Sequence, residues 1–207
     1  AKMLEKDRKA LGTIEQINND WKYLSDGKSF NGWHIFKKDS VNDSWTIEDG
    51  AFVYVGATDG NSTGNDLISD REFTSFILSI DWKISEGGNS GIFYYATEEG
   101  DNIWQTAPEM QVLDNDAHTD GKNTLTSAGA LYAMIASSEL VVKPAGEFNK
   151  VKIKAYNNNI EHWLNGVKIV EYTYGSKAMW DLVKKSKFNK MPLFAKAAEG
   201  RIGLQGD

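Results

Sequence analysis

The clearest alternation in the chain runs through FTSFILSIDWKI, where Phe76, Leu78, Ile80, Trp82 and Ile84 take every second place and Ser75, Ile77, Ser79, Asp81 and Lys83 fall between them. A period of two sends the two sets to opposite faces, so this stretch predicts a half-buried β-strand. NKVKIKAY alternates Lys with Val151, Ile153 and Ala155 in the same way. Short apolar runs ended by Gly, Asn or Asp recur from Trp21 onward, in SFNGWHIF, SWTIEDGAFVYVG, NDLISD, IFYYAT, EMQVLD, GALYAMI and RIGLQ. Asn31-Gly32 and Asp49-Gly50 predict turns between them. NIEHWLNGVKIVEY predicts two strands about Asn165-Gly166, a pair that tolerates the positive φ of a two-residue hairpin turn. Asn115 to about Ser127 is a polar loop. One helix is expected over roughly Ser176 to Lys187, with Met179, Leu182, Val183 and Ser186 on one face. In residues 1–20, Leu4, Ala10, Leu11, Ile14 and Ile17 partly fit a helical stripe, which predicts a partly helical leading arm. Many short strands with a single late helix exclude a doubly wound sheet and predict an all-β sandwich over 21–207, undivided by any linker.

Composition adds limits. The chain has 207 residues, 41% hydrophobic and 25% charged, enough for one sizeable core. A net charge of −6 provides no general basic field for a phosphate backbone, so nucleic acid is not an expected partner. With no cysteine there is no disulfide, thiolate nucleophile or thiolate metal site. No apolar run approaches the ~20 residues of a membrane helix. Aromatic residues make up 12% of the chain, and 19 Gly accompany many Asn against only 3 Pro. That mixture suits short strands, tight turns and rings able to stack on a sugar.

No phosphate-binding loop, strand-GxGxxG-helix unit, HExxH or GxSxG elbow occurs, and His34, His118 and His162 are far apart in the sequence. Carboxylates and amides on strands remain. In PEMQVLD, Glu109, Gln111 and Leu113 share one face while Met110 and Val112 face the expected core. A carboxyl beside an amide suits ligands rich in hydroxyls, although solvated exterior positions show the same pattern. Asp114 has the opposite parity and joins them only where the strand ends or bulges. The GGNSG turn at 87–91 presents Asn89 and Ser90, or is a plain hairpin turn. His162 alternates with Ile160 and Leu164, as a hydrogen-bonded core histidine also would. Most tryptophans fit the core, and Trp104, in the polar stretch EEGDNIWQTAPE, is the best candidate for a ring at a site mouth. Lys184, Lys185 and Lys187 are most simply a solvated helix end.

Eight segments in order carry a resemblance: LSDGKSFNGW, WTIEDG, DWKI before GGNSGIFY, PEMQVLD, AGALY, GEFNKVKI, IEHWLNGVKIVEY and GRIGLQGD. Together they resemble the DUF1080 family, the 3-keto-disaccharide hydrolases, from about Trp21 to the last residue. The resemblance implies a concanavalin A-like jelly-roll β-sandwich with one short helix near the C-terminus. Members usually continue past GLQ into a closing strand that this sequence does not show, so either the chain continues beyond it or an edge of the sandwich is left open. The implied activity is hydrolysis of 3-keto-disaccharides or 3-keto-glycosides by C2 proton abstraction, elimination and hydration. A conventional retaining glycosidase and a non-catalytic carbohydrate-binding module on the same fold are the alternatives. Gln111 stands where a second acid of such a glycosidase would be expected. Glu109, His162 and Asp114 are titratable groups in matching segments, with Glu109 or His162 as the expected base. Gln111, Asn89, Ser90, Tyr132 and Trp104 are expected to touch substrate. No definite cofactor is implied, and a divalent metal held by the carboxylates and His162 stays open without support from spacing. The partner is an oligosaccharide or glycoside oxidised at C3. The resemblance also implies a periplasmic, outer-surface or secreted setting, reached through a leader or lipid anchor that has been removed.

Overall fold

The computed structural model describes residues 21–56 and 64–207, together with the backbone of 2–5. Two antiparallel sheets face each other. The first has the strand order β12-β11-β10-β7-β1-β2. Here β1 is Lys2–Glu5, β2 Lys22–Tyr23, β7 Phe76–Trp82, β10 Asn149–Tyr156, β11 Asn159–Leu164 and β12 Val167–Thr173. The second has the order β3-β6-β13-β8-β9. Its strands are β3 Trp33–Ile35, β6 Leu67–Phe73, β8 Asn89–Ala96, β9 Glu109–Leu113 and β13 Gly200–Leu204. A separate hairpin joins β4, Trp45–Glu48, to β5, Ala51–Tyr54. Neither large sheet follows chain order, and the crossovers make this the expected jelly-roll sandwich.

Alternation determines the core. Phe76, Leu78 and Trp82 of β7 and Val151, Ile153 and Ala155 of β10 meet Ile35, Leu67, Ile92, Tyr94, Met110, Val112 and Ile202 from the second sheet. Fully burying each large aliphatic side chain contributes about 1.5–3 kcal/mol, so the shared interior fixes which face of each strand points inward. The Asn165-Gly166 turn has φ of 50° and 89°, and Asp49-Gly50 has 49° and 79°, the left-handed pairs that the dipeptides predict. Asn157 and Asn158, at 48° and 62°, make a matching turn between β10 and β11.

The late helix, α1, is Lys177–Lys185. Ser176 Oγ caps it by accepting from Met179 N at 3.1 Å, and Met179 and Val183 enter the core. A 3₁₀ turn, Lys187–Lys190, follows directly. Two expectations change. Lys2–Glu5, within the expected partly helical arm, is a strand paired with both β7 and β2, and the rest of that arm lies outside the described residues. GALYAMI is not a strand but a turn with isolated bridges from Leu131 to Met110 and Ile135. Its backbone serves to cover the free edge of β9.

Candidate active site

β9 is an edge strand, and an edge with unpaired amides is normally exposed. Here residues 129–132 close it: Gly129 N donates to Gln111 O at 2.8 Å, Gln111 N to Ala130 O at 3.1 Å and Tyr132 N to Glu109 O at 3.0 Å. Glu109 and Gln111 consequently lie on the outer face of the second sheet yet are 7% and 1% exposed, far from solvated exterior positions.

Cross-strand register lays out the rest of this face. Gln111 lies opposite Gly91, and Glu109 opposite Phe93. A Cβ on Gly91 would fall 2.2 Å from Glu109 Oε1, so the glycine leaves the space that the Glu109 carboxyl occupies. Leu204 pairs with both Leu67 and Ile92, which brings Gln205 level with Asp66 on one side and Gly91 on the other. The polar row across four strands therefore reads Asp66, Gln205, Gly91 and Gln111. Phe93 continues into an apolar cluster with Phe36, Ile68, Ala96, Ile103 and Ala107, against which Trp104 packs.

Burial drives the electrostatics. Desolvation pushes Glu109 up to about 8, against the pull of Lys187 and with a further push from Asp66, Asp207 and Asp120. Asp66 is raised to about 6, first by desolvation, although Gly206 N donates to its Oδ1 at 3.1 Å. Tyr132 donates to Asp120 Oδ2 at 3.3 Å, and Lys187 Nζ sits 4.1 Å from the centre of its ring. Desolvation, followed by the charges of Asp120 and Glu109, raises Tyr132 to about 12. Desolvation also lowers Lys187, while Glu109 and Asp120 oppose that shift. Around these groups the amide oxygens of Gln111, Gln205 and Asn89 accept no hydrogen bond from the described residues. Gln111 Nε2 donates to Thr126 O at 3.1 Å and Asn89 Nδ2 to Asp207 Oδ2 at 2.6 Å, which fixes these two amides with their oxygens free.

The structure thus gathers Glu109, Gln111, Asn89 and Tyr132, and places Trp104 on the adjoining apolar cluster. It separates the others. His162 is wholly buried between the sheets, where Nδ1 donates to Gly129 O at 3.2 Å and Nε2 accepts from the Tyr94 hydroxyl at 3.0 Å. Desolvation lowers it to about 4, so it stays neutral and holds the segment that covers β9. It is therefore placed as a core residue, not as the base. Asp114 accepts from Gly87 N at 2.8 Å and Asp116 N at 3.1 Å, and these bonds hold it below the usual carboxylate range. It ties two turns together and is a poor proton carrier. Ser90 donates to Gln205 O at 2.9 Å, bracing the row from the backbone side. With both His162 nitrogens engaged in the core, the imagined carboxylate-histidine metal set does not fit. Among the described residues no three His, Asp or Glu side chains are grouped to hold an ion.

Asp66, Asp120 and Gln205 are absent from the residues singled out by sequence, and Lys187 is expected there only as part of a solvated helix end. The parity of NDLISD, which puts Asp66 with Ile68, was the only available signal for Asp66. Lys187 has the outward form of a helix-end lysine, and only the 3₁₀ turn directs it over Tyr132.

Residues 20–207 match the family described as the 3-keto-alpha-glucoside-1,2-lyase-like domain. The chain belongs to this family. A relative from Bacteroides thetaiotaomicron named 3-keto-disaccharide hydrolase is 40% identical, over 88% of this chain and 72% of its own length. Among solved structures, a Parabacteroides distasonis protein provisionally named a glycosyl hydrolase superposes with a TM-score of 0.82 at 29% identity, covering 94% of this chain and 91% of its own. A second Parabacteroides distasonis structure of similar provisional name gives 0.65 at 26%, covering 84% and 91%. This member of the 3-keto-alpha-glucoside-1,2-lyase-like family is a hydrolase-like enzyme on a jelly-roll sandwich.

Proposed function

We propose that the protein hydrolyses the glycosidic bond of 3-keto-disaccharides or 3-keto-glycosides, by elimination followed by hydration. The observation that carries this is Glu109, a buried carboxyl pushed up to about 8, in the field of Lys187 and on one sheet face with amide oxygens that have acceptor capacity to spare. Hydroxyl-rich sugars supply the donors that those oxygens need. The name of the Bacteroides thetaiotaomicron relative supports the same substrate class.

A ketone at C3 acidifies the C2 proton. Its removal moves the electron pair into the carbonyl as an enolate, whose collapse restores the ketone, forms the C1–C2 double bond and expels the C1 oxygen. Water then adds at C1 while a proton returns to C2, so one glycosidic bond breaks for one water consumed. Glu109 is mostly protonated at neutral pH and suits donation to the departing oxygen. Lys187 supplies a cation for the enolate oxygen. A retaining displacement instead wants an ionised nucleophile roughly 5–5.5 Å from the acid, and Glu109's neighbour on its own strand face is the amide Gln111.

The test compares release of the C1 group from a 3-keto-α-glucoside and from the unoxidised glucoside. Turnover of the oxidised compound alone is expected, with Glu109→Gln slower by about 10²–10⁴-fold on a poor leaving group. Equal cleavage of the unoxidised glucoside would sink the proposal. Sugar binding without cleavage of either compound would favour a binding module. A periplasmic, outer-surface or secreted setting belongs to the same proposal and is checked by fractionating cells that express the protein from its own gene. No helix among the described residues is long and apolar enough to cross a membrane.

A further inference from the structure

Elimination needs a second proton-transfer group, and neither His162 nor Asp114 is free to be it. Asp66 immediately precedes β6 and shares the outward parity of Ile68. Register carries it, through Gln205, to Gly91, over which the Glu109 carboxyl lies. Two strand spacings separate the Asp66 and Gly91 backbones, about 10 Å, which leaves room for one pyranose ring between the carboxyls. Asp66 Oδ1 is held by Gly206 N, while Oδ2 receives no hydrogen bond from the described residues. Gln205, whose Oε1 accepts no hydrogen bond from the described residues, stands in register between Asp66 and Gly91.

Resting on the function proposed above, we infer that Asp66 is the base that takes the C2 proton and Glu109 the acid that protonates the departing C1 oxygen. The Asp66 carboxylate accepts the proton and the C2–H pair enters the enolate. Collapse breaks the C1–O bond, and that oxygen takes the Glu109 proton. In hydration the Glu109 carboxylate takes a proton from water as oxygen bonds to C1, and Asp66 returns its proton to C2. Both carboxyls end as they began.

The charge environments agree with this division. The charge of Asp207 acts on Asp66, whereas Lys187, Asp120, Asp207 and Asp66 act on Glu109. Asp66, at about 6, is ionised at neutral pH yet more basic than a solvated carboxylate; Glu109, at about 8, keeps its proton. Environments that push two acids apart set up one base and one acid.

Exchange of the C2 proton of 3-keto-glucose in D₂O, followed by NMR, reads the base without bond cleavage. Cleavage of methyl and 4-nitrophenyl 3-keto-α-glucosides reads the acid. Asp66→Asn is expected to lose about 10²-fold or more in exchange and in cleavage of both glycosides. Glu109→Gln is expected to lose about 10²-fold or more in methyl cleavage and far less in exchange and in release of nitrophenol, whose departure needs little protonation. Wild-type exchange at Asp66→Asn, or its loss in Glu109→Gln alone, overturns the assignment. Should Asp66→Asn fail to fold, the wild-type exchange rate decides: a rise through a pH near 6 supports Asp66, and a rise only near 8 gives the base role to Glu109. Wild-type protein that neither exchanges nor cleaves removes the proposed function and this assignment with it. Wild-type activity with an unaffected Asp66→Asn removes the assignment alone.

Discussion

Gly91 shows how one missing atom can govern a site. Its backbone is an ordinary strand backbone, so the glycine is not required for a turn. What it provides is space: an added Cβ would meet Glu109 Oε1 at 2.2 Å and Cδ at 2.7 Å. Those atoms are the end of a flexible side chain, which can swing aside while the sheet stays in register. Gly91→Ala is therefore expected to fold with a thermal midpoint close to wild type, yet to cleave a 3-keto-glucoside about 10²-fold more slowly because the acid is displaced. Unchanged cleavage would show that the carboxyl does not need its place over Gly91. Glu109 itself depends on the same confinement, since desolvation rather than any single neighbour raises it.

At the scale of elements, an edge strand, a bridging segment and a helix end converge. β9 presents Glu109 and Gln111, residues 129–132 close its edge, and the 3₁₀ turn after α1 brings Lys187 over Tyr132. α1 stops at its Ser186 cap, whose Oγ then accepts from Phe188 N at 3.1 Å and starts that turn. Phe188 anchors it by stacking on Phe194 with ring centres 4.0 Å apart. Lys187 favours the ionised form of Glu109, so its removal must raise Glu109 further. In Lys187→Met the alkaline limb of the cleavage rate should move to higher pH, and the maximal rate should fall about 10-fold or more if the ammonium meets the enolate. A pH–rate profile that does not move would place Lys187 outside the site's electrostatics.

For the whole molecule, the same buried groups make stability depend on pH. Glu109 titrates at about 8 when folded against an ordinary 4.5, so the folded state holds more protons between those values. Its contribution is complete below 4.5 and is lost as pH rises to 8. Asp66, at about 6 against 3.8, acts with the same sign in a lower window. His162 has the opposite sign: at about 4 folded and 6.5 ordinarily, it contributes above 6.5 and loses that contribution as pH falls to 4. Asp114, held low by its backbone donors, adds to the acid-side loss. Between pH 6.5 and 8.5 Glu109 acts alone among these groups. The urea midpoint of wild type should fall across that interval, and that of Glu109→Gln should stay level. Parallel curves for the two proteins would mean that Glu109 is not held protonated by its burial.

Alternation and turn chemistry are local properties, and the sequence by itself determined what depends on them: the two-faced strands β7 and β10, the Asn165-Gly166 and Asp49-Gly50 turns, the late helix and the sandwich class. It also placed Glu109 and Gln111 on one face of β9, because parity along a strand is a matter of counting. Only tertiary structure decided that this face is buried. The cover comes from a segment some twenty residues onward in GALY and from a lysine beyond α1, and neither carries a local mark of that use. For the same reason His162 resembled a site residue until the second sheet closed over it. Asp66 and Glu109 are far apart in the chain, and they share a row only because β13 pairs between β6 and β8. Strand order is settled by which faces the whole chain can bury together, and so the partnership of the two acids had to wait for the fold.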